Sequence, residues 1–184
     1  MVIDKDNNLF WVDLEMTGLN PEEHVILEIA CLITDKELNI IAEGPELVIH
    51  QSEEQLNKII DDVKDVLQKD LIDKVRISDI TSEDAEEKIL NFVKEYCNPK
   101  ISPFCGNTVS TDKQFIKKFM PKLADYLHYR LIDVSTIKEL SKRWYPHIPG
   151  YEKPNKHHRA MDDIKESVAE LKYYKEKIFI PLTP

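Results

Sequence analysis

The sequence predicts an α/β protein whose mixed sheet begins as an antiparallel meander, continues as alternating strands and helices, and is flanked by helices. Three strand-like runs follow one another at short spacing within residues 9–50. After Ser52 the apolar residues recur at helical spacing, interrupted by short strand-like runs. A length of 184 residues is enough to bury a proper core, and we expect one domain covering residues 1–184.

The strands are rich in β-branched and aromatic residues and are separated by turn formers such as Gly18, Asn20 and Pro21. The three strands of the meander are predicted at Leu9–Leu14, at Val25–Thr34, and at Leu38–Ala42 with its continuation Glu46–His50. Two shorter strands are predicted at Phe104-Cys105 and Leu131–Val134.

The helices are predicted from apolar residues spaced three and four apart and from capping residues at their ends. Ser52 has a capping-box pattern and opens a helix through Leu67, and Ser135 is predicted to cap another that runs to Trp144. The remaining predicted helices are Ser82–Tyr96, Asp112–Met120, Lys122–Leu127 and Arg159–Lys177.

Asp13 and Glu15 interrupt the apolar run of the first strand. Side chains alternate across a strand, so both carboxylates point to the same face, a short distance apart. Such a pair is costly in an apolar strand unless a positive group lies between the two acids, and a divalent cation would meet that need. An edge strand with a polar, hydrated face accounts for the same pair.

Asp112, His158 and Asp163 bear on this choice. Asp112 opens a predicted helix beyond the strand Phe104-Cys105, and Asp163 lies in the first turn of the last helix. Acids there also favour the helix dipole, although sites in α/β sheets assemble beyond strand ends. His158 lies in the loop before the last helix. Four carboxylates and a base of near-neutral pKa could hydrolyse a phosphodiester with two divalent ions.

The formal net charge of −9 argues against a protein that grips a long nucleic acid by its phosphates, because such proteins usually have a basic face. We therefore expect any nucleic-acid substrate to be short or held through bound metal. The acidic residues within 53–73 and 82–87 are interpreted as solvated helix faces.

Cysteine content and the N-terminal sequence predict the compartment. Cys31, Cys97 and Cys105 are odd in number and scattered, which is typical of buried free thiols in a reducing environment. We find no apolar run long enough to span a membrane and no signal-peptide pattern in residues 1–8. We expect a cytoplasmic protein, or a mitochondrial one if a presequence has been removed.

The three acidic motifs resemble those of a known enzyme family. Asp13-Leu14-Glu15, Asp112, and His158 separated from Asp163 by four residues match the histidine-bearing branch of the DEDD 3′→5′ exonucleases. Further matches extend the resemblance to the oligoribonucleases over nearly the whole chain: Trp11–Leu19, Ala42–Pro45, Cys105–Asn107, His128–Arg130, Ile132–Thr136 and His158–Asp163.

The resemblance implies a ribonuclease H-like fold and a homodimeric 3′→5′ exoribonuclease. With two divalent cations, Mg²⁺ or Mn²⁺, such an enzyme cleaves dinucleotides and very short oligoribonucleotides to 5′-mononucleotides. It further implies that His158 is the general base, and that the metal ligands are Asp13, Glu15, Asp112 and Asp163.

For the substrate, the resemblance implies that Leu19 separates the two bases of a dinucleotide. The 5′ phosphate would be held by Arg130, Ser135 and the hydroxyl of Thr108, with Tyr129 reaching in from the other subunit. An Arg fork and a hydroxyl at a helix start are suitable phosphate donors.

Two departures from the family are visible. Thr108 replaces the usual Ser, which keeps the hydroxyl and adds a methyl. The segment Asp61–Leu71 is about one residue longer than usual and has neither the Trp nor the His that approach the nucleotide. Base stacking on such an aromatic ring contributes about 1–3 kcal/mol, so affinity and length preference are the properties most open to change.

Two other functions fit the same residues. A 3′→5′ exonuclease of this fold could trim longer RNA or single-stranded DNA. A non-catalytic nucleotide- or RNA-binding module could also keep the fold, but it would be expected to have lost a ligand or the base, and none is lost here.

Overall fold

The computed structural model describes residues 4–64, 67, 69–152 and 159–179. Its strands are β1 (Leu9–Met16), β2 (Ile26–Thr34), β3 (Ile40–Val48), β4 (Phe104–Gly106) and β5 (Leu131–Asp133). Its helices are α1 (Glu53–Leu56), α2 (Asp61–Lys64), α3 (Lys69–Ile77), α4 (Ser82–Tyr96), α5 (Ser110–Phe119), α6 (Pro121–Tyr126), α7 (Val134–Trp144) and α8 (Ala160–Ile178).

The strands form one sheet in the order β3-β2-β1-β4-β5. β2 pairs antiparallel with both β1 and β3, whereas β4 pairs in parallel with both β1 and β5. The predicted meander, followed by alternating strands and helices, is confirmed. β1 lies at the centre of the sheet, so residues at its end are surrounded by several elements.

Alternate side chains of β1 enter different hydrophobic clusters. Phe10 and Val12 pack into the larger cluster, which includes residues of α4, α5 and α6. Trp11 packs on the other face, against residues of α8. Asp13 and Glu15 share the Trp11 side of the strand, so strand alternation directs both carboxylates toward α8.

Most predicted helices are confirmed. α4 has the predicted bounds Ser82–Tyr96, with a capping box between Thr81 and Asp84. The bounds of α5, α6 and α8 lie within one or two residues of the prediction. The residues of α8 that pack into the cluster around Trp11 recur at helical spacing, as expected of an amphipathic helix, and include Met161, Ile164, Val168 and Leu171.

The single helix predicted from Ser52 through Leu67 is wrong. Ser52 caps only the four-residue α1, and the chain then turns so that the backbone N–H of Ile60 donates to the carbonyl of Thr17. The apolar residues that produced the helical spacing pack instead around Leu27 in a separate small cluster. The apolar residues recur at helical spacing because several short segments each bury one side in the same cluster.

Two predicted element ends are also wrong. Ser135 is not the cap of α7, because the carboxylate of Asp133 accepts the Ser135 backbone N–H and caps the helix. The third strand begins at Ile40, because Leu38 lies in the preceding turn with a φ of 71°.

Glu86 contradicts the interpretation of residues 82–87 as a solvated face. Its side chain is buried, and Oε1 accepts the backbone N–H groups of Lys122 at 2.6 Å and Leu123 at 3.2 Å. N–H groups in the first turn of a helix have no acceptor within the helix itself, and α6 has no capping side chain of its own. A carboxylate from α4 therefore caps α6.

We expect Glu86→Ala to lower the free energy of unfolding by about 1–3 kcal/mol, because the buried N–H of Leu123 and the part-buried N–H of Lys122 lose their acceptor. Glu87→Ala is the matched control, since Glu87 is exposed on the same helix. Urea unfolding followed by circular dichroism would measure both. Equal effects at the two positions would contradict the capping role of Glu86.

All three cysteines are buried free thiols, as predicted. None of the described helices combines the length and the apolar character that a membrane crossing requires.

Candidate active site

Three carboxylates meet where the end of β1 faces the first turn of α8. One ligand oxygen from each of Asp13, Glu15 and Asp163 lies within 4.8 Å of the others, and all three side chains are partly buried. Asp13 and Glu15 are brought together by strand alternation, and Asp163 by the packing of α8 on that face of the sheet. The structure therefore joins residues far apart in sequence into one oxygen-rich site.

Asp112 approaches the same strand from its other side. β4 pairs with β1 only opposite Phe10 and Trp11, so the later part of β1 has no strand on that edge. The buried carboxylate of Asp112, in the first turn of α5, accepts the backbone N–H of Leu14 at 3.0 Å. Asp112 is thus held beside the acidic site, although the three-residue group does not include it.

The pKa values show how strongly the site concentrates negative charge. Burial raises the pKa of Glu15 to about 8, and the charges of Glu28, Asp163 and Asp112 add to the rise. Burial also raises the pKa of Asp112 to about 7, against the lowering effect of hydrogen bonds from its own N–H and that of Leu14. Hard divalent cations prefer such closely spaced carboxylate oxygens, so the donor set fits Mg²⁺ or Mn²⁺.

A polar chain that the sequence analysis missed connects α8 to the loop after β4. Asn107 Nδ2 donates to Ser167 Oγ at 2.9 Å, and Ser167 Oγ donates to the carbonyl of Asp163 at 2.8 Å. Asn107 Nδ2 also approaches the buried carboxylate of Glu170 at 3.1 Å, which Lys138 Nζ approaches at 3.0 Å. In the sequence, Glu170 follows Asp163 and Ser167 at helical spacing about three turns into α8, and this shared face is a signal that could have indicated the network.

Asp133 joins two of the residues expected to hold the substrate phosphate. Its Oδ1 accepts the backbone N–H of Thr108 at 2.9 Å, and the backbone N–H and hydroxyl of Ser135 at 3.0 and 2.6 Å. Thr108 and Ser135 are thereby fixed against one carboxylate. The Ser135 hydroxyl would have to turn away from Asp133 before it could donate to a phosphate.

Thr108 has a left-handed backbone, with a φ of 53°. This conformation is strained for a β-branched residue, and such strain is typical of functional sites. We expect Thr108→Gly to raise the free energy of unfolding by about 1 kcal/mol, because glycine adopts this φ without strain. Thr136→Gly, in the exposed first turn of α7, should lower it instead. Thermal unfolding of both variants would check the prediction, and a loss of stability at Thr108 would contradict it.

Leu19 lies on a braced turn after β1, with its side chain 66% exposed. The Thr17 hydroxyl accepts the N–H of Val25, and Lys118 Nζ donates to the carbonyl of Pro21 at 2.6 Å. A Cβ on Gly18 would lie 2.5 Å from the buried ring of His24, so glycine is needed there. An exposed leucine on a fixed turn is available for contact with a ligand.

Tyr129 and Arg130 lie on the surface just before β5. The Tyr129 side chain is 70% exposed, its ring stacks on His128 with centroids 4.5 Å apart, and the Arg130 guanidinium lies 5.5 Å from the Tyr129 ring centroid. The Arg130 side chain is exposed. Neither residue belongs to the group of three carboxylates found among the described residues.

His158 lies outside the described residues, and only its neighbour Arg159 can be placed. In the divergent segment Asp61–Leu71, the described parts form α2 and the start of α3, with Leu67 and Leu71 packed in the small cluster around Leu27.

Comparison with known proteins agrees with this geometry. The profile of the RNase_T family, described as an exonuclease, matches residues 10–171. An oligoribonuclease of Vibrio campbellii is 50% identical over 176 residues, 95% of this chain and 97% of the relative. An oligoribonuclease of Pasteurella multocida is 53% identical over 178 residues, 96% of each chain.

Solved structures with the same fold include exonuclease I of Methylocaldum szegediense, with a TM-score of 0.69 and 14% identity. The zinc-bound complex of E. coli ExoI with single-stranded DNA has a TM-score of 0.68 and 14% identity. Each match covers 94% of this chain and 41% of the exonuclease I chain. The likeness shows that the sheet and its helices form a ribonuclease H-like fold.

Proposed function

Because the chain belongs to the RNase_T exonuclease family and, within it, to the oligoribonucleases, we propose that it is a 3′→5′ exoribonuclease. Its substrates are dinucleotides and very short oligoribonucleotides, and its products are 5′-mononucleotides. The observation that supports this most directly is the group of Asp13, Glu15 and Asp163 on the same side of the central strand. The proposed domain covers residues 1–184, of which the family profile matches 10–171.

The four carboxylates would hold two divalent cations, Mg²⁺ or Mn²⁺, with Asp112 completing the set from the edge of β1. When bound, such ions activate a water and stabilise the leaving oxygen of a phosphodiester. The protein's own part is to fix the oxygens on rigid elements. Asp13 and Glu15 are on a central strand, and Asp163 is on a helix tied to the sheet and to the loop after β4.

His158 is the general base that accepts the proton of the attacking water. It directly precedes Arg159 and α8, the helix that also holds Asp163. In the sequence, the base and this metal ligand are therefore only five positions apart.

The substrate is held at both ends. Leu19, exposed on its braced turn, separates the two bases. Arg130, Ser135 and Thr108 bind the 5′ phosphate, with Ser135 and Thr108 kept together by Asp133. A closed 5′ end excludes longer chains, in agreement with the net charge of −9 and the absence of a strongly basic composition.

The active enzyme is a homodimer in which Tyr129 of one protomer completes the other protomer's phosphate site. Its high exposure within the single protomer supports this. Tyr129→Ala should raise KM for a dinucleotide, with little change in the thermal stability of the protein. We also propose that the enzyme works in the cytoplasm, a reducing compartment that suits its three buried free cysteines.

Rates on RNA of two, five and fifteen nucleotides with Mn²⁺ test the function. We expect the dinucleotide to be cleaved fastest. Comparable or faster cleavage of the longest RNA, or of single-stranded DNA, would instead support a general trimming exonuclease of the same fold. An intact dinucleotide after prolonged incubation would refute the proposal.

A further inference from the structure

Glu28 is a fifth carboxylate beside the site. It lies in β2 directly opposite Glu15 in the strand pairing, and its side chain is fully buried. Burial raises the pKa of Glu28, and the hydrogen bond from Arg159 opposes that rise. Burying a carboxylate costs free energy unless hydrogen-bond or charged partners compensate for the lost water. The partners of Glu28 therefore indicate its role.

Those partners belong to the start of α8. Arg159 donates from one terminal nitrogen to Glu28 Oε1 at 2.8 Å and to Glu46 Oε1 at 2.6 Å. Glu28 Oε2 lies 3.5 Å from the backbone nitrogen of Ala160, the first residue of the helix. Arg159 itself provides no side-chain cap to α8. Glu28 thus receives both a side chain and a backbone donor from the same helix end.

The contact of Glu28 with Arg159 and Ala160 fixes the N-terminal end of α8, which carries Asp163 of the acidic site. Asp163 lies in the first turn of α8, and its backbone N–H donates to the carbonyl of Arg159 at 2.9 Å. A shift of Arg159 would therefore move the Asp163 carboxylate relative to Asp13 and Glu15, which are fixed on β1. Displacements of about 1 Å at such a site can reduce the rate about 100-fold.

We propose that Glu28 and Arg159 are a positioning pair that sets where Asp163 stands in the acidic site. The pair orients the helix end and binds no substrate itself. Its effect on turnover rests on the proposed function, whereas its effect on metal binding does not.

Two variants test the pair. Glu28→Gln keeps the size of the side chain, but its NH₂ group must face either the guanidinium or the Ala160 N–H, both of which are donors. Arg159→Ala removes the other half of the pair. We expect each to lower kcat on a dinucleotide 10- to 100-fold with KM within about twofold of wild type. We also expect each to weaken Mn²⁺ binding about tenfold by calorimetry.

Glu46→Gln is the matched control, because it breaks the other bond of the same guanidinium while Glu46 is partly exposed on β3. We expect kcat and Mn²⁺ affinity within about threefold of wild type. The double variant Glu28→Gln/Arg159→Ala should lose no more than the worse single variant, since both changes break one interaction. Arg159→Lys, which keeps a charged donor, should recover part of the loss.

Each outcome of these measurements either supports the pair or overturns it. If Glu28→Gln and Arg159→Ala lower the melting temperature but keep wild-type kcat and Mn²⁺ affinity, the pair only stabilises the fold and the proposal is overturned. Additive losses in the double variant would also overturn it. If the wild-type protein cleaves no dinucleotide, the proposed function fails, and the Mn²⁺ affinities alone still decide whether the pair positions Asp163. Should Glu28→Gln not fold, Arg159→Ala and Arg159→Lys decide, because Arg159 is at the surface end of the pair.

Discussion

Asp163→Asn is expected to lower kcat on a dinucleotide by about a thousandfold or more. The variant keeps the shape of the side chain and removes the charge of one of three carboxylates that lie within 4.8 Å of one another. Loss of one metal-binding oxygen anion at such a site removes about 4 kcal/mol of transition-state stabilisation, at about 1.36 kcal/mol per factor of ten.

Asp162→Asn is the matched control. Asp162 is the adjacent acid in the same first turn, but its side chain is exposed. Its replacement should leave kcat within about threefold and change the unfolding free energy only by the small helix-dipole contribution. Near-equal losses at the two positions would show that charge at the helix end, and not a place in the acidic site, accounts for the effect.

For the same two variants we also expect a difference in stability: the variant that loses activity should gain stability. Without metal and at about pH 8.5, where Glu15 is ionised as well, the three carboxylates repel one another, so Asp163→Asn should raise the melting temperature in EDTA while Asp162→Asn should not. If the inactive variant is more stable than wild type, its loss of activity cannot be due to unfolding.

The stability of the metal-free protein should fall as pH rises from about 5 to about 8. In the folded chain the pKa of Glu15 is about 8 and that of Asp112 about 7, against ordinary values of 4.5 and 3.8. Between those limits the folded state holds protons that the unfolded state has released. The unfolding free energy therefore decreases with pH in this window, by a few kcal/mol in total.

Divalent metal should reverse this trend. Mn²⁺ binds the ionised carboxylates, so the stabilisation that it gives grows with pH over the same window. Melting temperatures at about pH 5.5 and about pH 8.5, each with EDTA and with Mn²⁺, would measure both effects. In Glu15→Gln, which resembles the protonated acid, the decrease with pH should be smaller. A melting temperature in EDTA that rises over the window would show that these carboxylates are not destabilised by burial.

Local patterns predicted the elements that depend on local chemistry. The alternation of β1 correctly placed Asp13 and Glu15 on one face, and apolar spacing gave the bounds of α4. Spacing failed at residues 52–67 because α1, α2 and the turn between them bury apolar side chains toward the same cluster, as one helix would.

Contacts between distant residues could not be predicted in the same way. Nothing near Asp112 in the sequence indicates that it accepts the N–H of Leu14, 98 residues away. Glu28 was a detectable exception, since it is the single acid in the nine-residue run of β2, and the argument applied to Asp13 applies to it equally. Its partner Arg159 is 131 residues away and follows only from the packing of α8.

The short length of β4 places a limit on how this site could be altered. Gly106 ends the strand, and a Cβ there would lie 3.0 Å from the carbonyl of Val12. If β4 were lengthened by two residues, its backbone would compete with Asp112 for the N–H of Leu14. A longer β4 would add hydrogen bonds to the sheet, but it would displace the Asp112 carboxylate from the position that the acidic site requires. Insertions tolerated elsewhere on the surface should therefore be excluded between β4 and α5, and a redesign of this enzyme should keep that gap in the sheet open.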